Sequence, residues 1–221
     1  MSLALWKDRL DYQSLLLGSV VLITCVALAL AYQLTREPIR LALEQDLLNS
    51  FSRVLPDALY DNDLLTSQAV IERDGRPLTW YQARLDGEVT AVVFPITAQG
   101  YAGNIEMLLA IEANGDIAGV RVLVHQETPG LGDKIEEARD PWITEFSGTS
   151  LSNPPSALWG VKKDGGHFDQ FTGATITPRV IVREIHRSLE FFTRQQAVFL
   201  TPLAEPDLST SSEETQEVSD D

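Results

Sequence analysis

Asp169-Gln170-Phe171-Thr172-Gly173-Ala174-Thr175-Ile176-Thr177-Pro178 is the stretch from which the rest of the chain is read. Three hydroxyl side chains and one glycine run into a proline, a residue well tolerated at the first position of a helix. The segment therefore predicts a turn feeding a helix, with Thr177 as the N-cap. A helix N-terminus exposes unpaired backbone N–H groups and carries about half a positive charge, so a phosphate placed there is stabilised without a basic side chain. The residues alone leave two readings open: a phosphate-proximal site, or hydroxyls and glycine gathered because they cap helices well.

Downstream, Ile181, Ile185, Leu189 and Phe192 fall on one stripe and predict a long helix. Upstream, β-prone runs over 79–85, 88–96, 105–112 and 117–124 are separated by Asp86-Gly87, by Gln99-Gly100-Tyr101-Ala102-Gly103 and by Asn114-Gly115-Asp116. Each separator is a turn signal, which predicts an antiparallel meander. Gly119 inside the last run predicts a bulge or a close backbone approach. A short helix is expected over 132–139, interrupted at Asp140-Pro141, and a further strand over 157–161 that turns at Asp164-Gly165-Gly166. The layout is α+β, with a mainly antiparallel sheet and flanking helices.

Directly after the last meander run comes His125-Gln126-Glu127-Thr128-Pro129-Gly130-Leu131-Gly132-Asp133-Lys134. Pro129 and the two glycines predict a tight turn at a strand end, where loops on a fixed scaffold often carry binding residues. Binding and mere turning both remain open on these residues. His125 and His167 flank the two motifs, where a histidine can donate a hydrogen bond or a proton, or serve packing alone. His186 belongs to the long helix. Trp142, Trp159, Trp80 and Phe171 are candidates to shield a flat ring, Trp142 first among them. Lys134 and Lys162 are candidates to neutralise a phosphate.

The N-terminal part reads differently. No charged residue lies between Tyr12 and Thr35, and the apolar run there is long enough to cross the ~30 Å hydrocarbon layer as a helix. Tyr12 and Tyr32 sit near its ends, as interfacial aromatics do. One transmembrane anchor is expected. The alternative is a cleaved signal peptide, for which Ala27-Leu28-Ala29 and Ala29-Leu30-Ala31 offer small-x-small sites. Beyond Glu37-Pro38, the positions Ile39, Leu43, Leu47, Phe51 and Leu55 recur at helical spacing, so a helix is expected to join anchor to domain and to stop at Pro56. The domains expected are 1–36 (N-terminal segment and anchor), 37–78 (connecting helix and loops), 79–200 (the folded domain) and 201–221 (tail).

The chain has 221 residues and a formal net charge of −15, which argues against nucleic acid as a partner. Seven acidic and no basic residues lie between Glu205 and Asp221, leaving −8 for the rest; that tail reads as solvated and disordered. Cys25 is the single cysteine, so neither a disulfide within the chain nor a cysteine-held cofactor is possible. No nicotinamide-binding or phosphate-cradling fingerprint and no nucleophile elbow is present. The histidine spacing matches no metal-ligand pattern, and no metal is expected.

Asp169-x-x-Thr172-Gly173-Ala174-Thr175 resembles the flavinylation motif Asp-x-x-Ser/Thr-Gly-Ala-Thr of the FMN-binding domains in Rnf and Na+-pumping NADH:quinone reductase complexes. Glu127-Thr128-Pro129-Gly130-Leu131-Gly132 resembles a second signature of that family, in the same order and at a similar spacing. With the Gly100-Tyr101-Ala102-Gly103 turn and the single N-terminal span, the resemblance covers nearly the whole chain except the acidic tail. It is nearer to the Rnf branch than to the longer Na+-pumping counterpart.

The resemblance implies a covalent FMN, joined as a phosphoester to Thr175 by a separate flavin transferase that uses FAD. Asp169, Thr172, Gly173, Ala174 and Thr177 would surround the attachment point, with Glu127, Thr128, Gly130, Leu131 and Trp142 completing the cofactor-binding set. It also implies a single-pass protein of the bacterial inner membrane, its soluble domain periplasmic. The partners would be the other membrane subunits, the transferase during maturation, and membrane lipid. The part played would be electron carriage in an ion-translocating ferredoxin:NAD+ oxidoreductase, with no independent catalytic site. A non-redox periplasmic sensor or ligand-binding module and an assembly subunit are the alternatives from other classes.

Overall fold

A computed structural model describes residues 10–203. The chain divides between Leu47 and Leu48 into two compact units. The first is helical and holds most of α1 (Leu10–Val54), which carries a stretch long and apolar enough to cross a membrane. Pro38 lies within α1, so the anchor and the connecting segment expected from sequence are one continuous helix. Thr24 and Thr35 turn their hydroxyls back onto the carbonyls of Val20 and Ala31, a habit that hides a polar group within the helix's own backbone.

The second unit is built on a five-stranded antiparallel sheet in the order β1 (Gln68–Arg73), β2 (Arg76–Leu85), β3 (Glu88–Gln99), β4 (Asn104–Glu112) and β5 (Ile117–Val124). Four of these strands coincide with the β-prone runs. β1 falls where sequence gives only loops, because its alternating half-buried pattern and exposed Val70 belong to an edge strand that packs one face alone. The hairpin joining β1 to β2 turns on Asp74-Gly75, and that joining β2 to β3 on Asp86-Gly87. Both residues of each turn have positive φ, the geometry that matches strand twist.

Strand parity sorts the sheet into two buried faces. Val92, Phe94, Ile96 and Ala98 of β3 stand opposite Ile111, Leu109, Met107 and Ile105 of β4, and this face meets α2 (Ile176–Phe199) through Ile181, Ile185, Leu189 and Phe192. Apolar burial of this kind contributes roughly 25 cal/mol per Å² and fixes the register, since a one-residue slip would turn every side chain to the other face. On the opposite face Tyr81, Ala91, Val93 and Ala110 alternate with these, and Phe51 packs edge-on against Tyr81 at 4.8 Å. Gly119, paired with Ala110, is the close approach anticipated from sequence: a Cβ there would sit 2.5 Å from the Val54 carbonyl oxygen.

Three expectations are corrected. The strand expected over 157–161 is a 3-10 turn (Ser156–Leu158) followed by an isolated bridge between Val161 and Phe168, because loop 160–168 closes on itself with Gly166 against Gly160. The helix expected over 132–139 shrinks to one 3-10 turn, Asp133–Ile135. The tail expected to begin at 201 is held as far as Leu203. The buried Gln82 amide donates to the carbonyls of Phe199 and Thr201 at 3.0 and 2.9 Å, and its oxygen accepts the Leu203 N–H at 2.9 Å. The rest of the acidic tail, and the first nine residues, lie outside the described residues.

Candidate functional site

Three segments that are remote in sequence meet beside the start of α2. The β3–β4 turn closes on itself through the Gly100 N–H and the Gly103 carbonyl at 2.8 Å. The loop after β5 wraps Pro129-Gly130, with the Leu131 and Gly132 N–H groups both returning to the Thr128 carbonyl. The third segment is the motif itself, in which Gly173 takes φ +87° and lets the chain reverse before the helix begins.

Glu127 joins the three. Its side chain is turned inward and only 5% exposed. One carboxylate oxygen accepts the Ala102 N–H at 3.1 Å and the other accepts the Thr177 hydroxyl at 2.5 Å. Gly100 and Gly132 leave it room: a Cβ at either would come within 2.4 or 2.9 Å of a carboxylate oxygen. His125 sets the loop's start, accepting the Glu127 N–H on Nδ1 at 3.1 Å while Nε2 meets Glu136 at 2.7 Å. That pattern puts the ring proton on Nε2.

The helix starts two residues earlier than expected. Thr175 occupies the N-cap position, and Thr177 is the second helical residue, buried against Glu127 rather than capping. The physical reason is that the buried carboxylate takes the Thr177 hydroxyl, which then cannot serve the helix's own amides. Among the described residues no side chain caps α2, which leaves its first N–H groups without a side-chain acceptor next to Thr175. The Thr175 hydroxyl is half-buried and, among the described residues, makes no hydrogen bond.

A cavity of about 380 Å³ opens here. Of the residues singled out from sequence, Glu127, Thr128, Leu131, Gly173, Ala174, Thr175 and Thr177 line it. Tyr101, Gly132 and Ile176 also line it without having been chosen. Their signal was present in the Gly-Tyr-Ala-Gly turn and in the second motif's closing glycine, but only the fold shows that the turn reaches the motif. The volume is in the range of small-molecule sites. A larger cavity of about 430 Å³ beside β5, lined by Arg53, Arg121 and Glu137 among others, holds none of the motif hydroxyls.

The remaining candidates stand outside the cavity wall. Gly130 caps the exposed turn with φ +78°. Thr172 is exposed on the reversal. Asp169 pairs with Lys162 at 2.7 Å on the surface, and its carbonyl accepts the indole N–H of Trp142 at 3.0 Å. Trp142 is buried, edge-on to Phe171 and Phe146, so it anchors the motif from the core side. Beside Asp169, burial pushes the Glu145 carboxyl up, with the carboxylates of Asp169 and Asp140 adding to that and Lys162 opposing it. His167 is exposed, and His186 meets the Ser156 hydroxyl at 2.9 Å.

The residues fit a phosphorylated planar ligand. A free hydroxyl lies at an uncapped helix N-terminus, in a cleft whose glycines a Cβ would crowd, with Leu131, Tyr101 and Ile176 as apolar walls.

Residues 100–190 match the family described as FMN-binding domain, a span containing both motifs and the cavity. The chain is 49% identical over 90% of its length to the G subunit of the ion-translocating oxidoreductase complex of Cereibacter sphaeroides, covering 91% of that protein. It is 50% identical to the protein of the same name from Stutzerimonas stutzeri, over 86% of this chain and 84% of that one. Among solved structures, that of Shewanella oneidensis NqrC aligns with a TM-score of 0.44 at 21% identity, over 64% of this chain and 73% of that one. Identity at this level over nearly the full length shows that the chain belongs to the family formed by the G subunits of ion-translocating oxidoreductase complexes.

Proposed function

We propose that this protein is a membrane-anchored flavoprotein subunit that carries electrons through FMN esterified to Thr175, within an Rnf-type ion-translocating ferredoxin:NAD+ oxidoreductase. The observation that carries the reading is the Thr175 hydroxyl: without a hydrogen-bond partner among the described residues, half-buried, and set at the uncapped N-terminus of α2 in the cavity formed by both motifs. Attachment transfers the FMN phosphoryl group from FAD to the Thr175 oxygen, with AMP leaving and the hydroxyl proton released. The bound group supplies the redox chemistry.

The chain's own residues do the rest. The first N–H groups of α2 would hold the phosphate, Gly173 lets the chain reverse ahead of them, and Leu131, Tyr101 and Ile176 would give the ring an apolar wall. Asp169, held out on the surface with Lys162, is placed where a transferase can read it. α1 serves as the anchor in the inner membrane, and the second unit faces the periplasm.

The test is co-expression with a flavin transferase followed by denaturing electrophoresis and mass spectrometry. Fluorescence should stay with the polypeptide, at one FMN phosphoester per chain, and Thr175→Val should lose it while melting as the wild type does. Flavin that survives denaturation in Thr175→Val would refute the site. Protease applied to spheroplasts should remove the acidic tail if the domain is periplasmic; a protected tail reverses the topology.

A further inference from the structure

Glu127 is the buried carboxylate among the residues that line the cavity, and the proposed flavin attachment gives its charge no task. It makes no ion pair among the described residues, yet it is nine-tenths or more buried. A carboxylate removed from water without a counter-ion is costly unless hydrogen-bond donors hold it. Here two donors hold it, the Ala102 N–H and the Thr177 hydroxyl, and the positive end of α2 lies beside it. Gly100 and Gly132 are shaped around it on either side. The carboxylate and Thr175 line the same cavity.

We infer that Glu127 is a positioning residue with an electrostatic task. It clamps the first turn of α2 to the β3–β4 turn, and its fixed negative charge opposes the negative charge that reduction brings into the cavity, holding the attached flavin at a lower potential. The inference rests on the flavoprotein reading. A charge on a side chain buried as Glu127 is acts on a neighbouring group more strongly than the same charge in bulk solvent.

The experiment poises the full-length, flavin-loaded protein against a redox indicator dye at pH 7 and reads the reduced-to-oxidised ratio of the attached flavin. Glu127→Gln keeps the shape and removes the charge; at fixed dye potential the ratio should rise about tenfold, equivalent to about 30 mV for a two-electron couple. Glu127→Asp keeps the charge and should stay near the wild-type ratio. If Glu127→Gln loads poorly, Thr177→Val reads the same charge from its other side: loss of the hydroxyl donor leaves the carboxylate less compensated, and the ratio should fall. A loaded Glu127→Gln protein with an unchanged ratio overturns the inference, as does a Thr177→Val protein that does not move. A wild-type chain that carries no flavin sinks the flavoprotein reading and this inference together, and is recognised before any substitution is made.

Discussion

Two threonines two positions apart have opposite fates, and the difference lies fifty residues away. Thr175 keeps its hydroxyl free of any partner among the described residues, whereas Thr177 is claimed by Glu127. Capping rules see only chain neighbours, so the sequence favoured Thr177 as the cap and could not reveal a partner from another loop. The glycines of the second motif separate in the same way. A methyl at Gly132 would lie 2.9 Å from the Glu127 carboxylate and 3.3 Å from the Thr177 hydroxyl, so Gly132→Ala should cost about 1–3 kcal/mol and slow flavin attachment. Gly130→Ala meets no atom within 4 Å and should cost only the left-handed backbone strain, about 1 kcal/mol, with attachment unchanged. Urea midpoints and in-gel flavin fluorescence on both variants check the contrast.

Among elements, the meander was legible because its hairpins carry Asp-Gly and Asn-Gly-Asp signals and its strands alternate or run apolar. The stretch between β5 and α2 was not, because its 3-10 turns are fixed by tertiary contacts such as Trp142 on Asp169 and Gly166 on Gly160, which leave no periodicity. The fit of the end of α1 to the sheet was half legible: Gly119 announced a close approach without naming Val54. Gly119→Ala places its methyl 2.5 Å from a backbone oxygen that cannot rotate away, and should lower stability by about 1–3 kcal/mol in a thermal melt.

Edge strand β1 is tied to α2 by Arg73, which meets Glu184 at 2.7 Å with both side chains mostly buried and lies over the Phe191 ring. Burial pushes the Glu184 carboxyl above its ordinary value, while Arg73 pulls it down. With the folded-state pKa raised, Glu184's contribution to stability is fully present below the ordinary carboxylate value and is lost as pH rises through the folded value. Arg73→Ala should therefore cost about 3 kcal/mol at pH 8, where the Glu184 carboxylate is charged, and less as pH falls toward the ordinary carboxylate range. A urea-midpoint deficit that does not shrink as pH falls would contradict this.

At the scale of the whole molecule the apolar N-terminal run was unmistakable in sequence, but the division between Leu47 and Leu48 was not. One helix crosses that boundary, and only burial distinguishes the exposed Leu43 from the fully buried Phe51 and Val54. A chain beginning at Leu48 should accordingly be soluble and unfold in one transition. One beginning at Leu55 loses the Phe51 and Val54 side chains from the sheet's second face and should be less stable by about 3–5 kcal/mol, measured by denaturant titration.

The Gln82 amide carries a consequence for how the protein is made. Its three partners belong to residues 199–203, more than a hundred positions later, so while the ribosome is still translating α2 a polar group at the heart of β2 has nothing to bind. Domains fold as units, and this one cannot close until residues 199–203 are available to Gln82. A nascent-chain force measurement on the chain beginning at Leu48, which lacks the apolar span and stays at the ribosome, should show its pull only once Leu203 has cleared the exit tunnel.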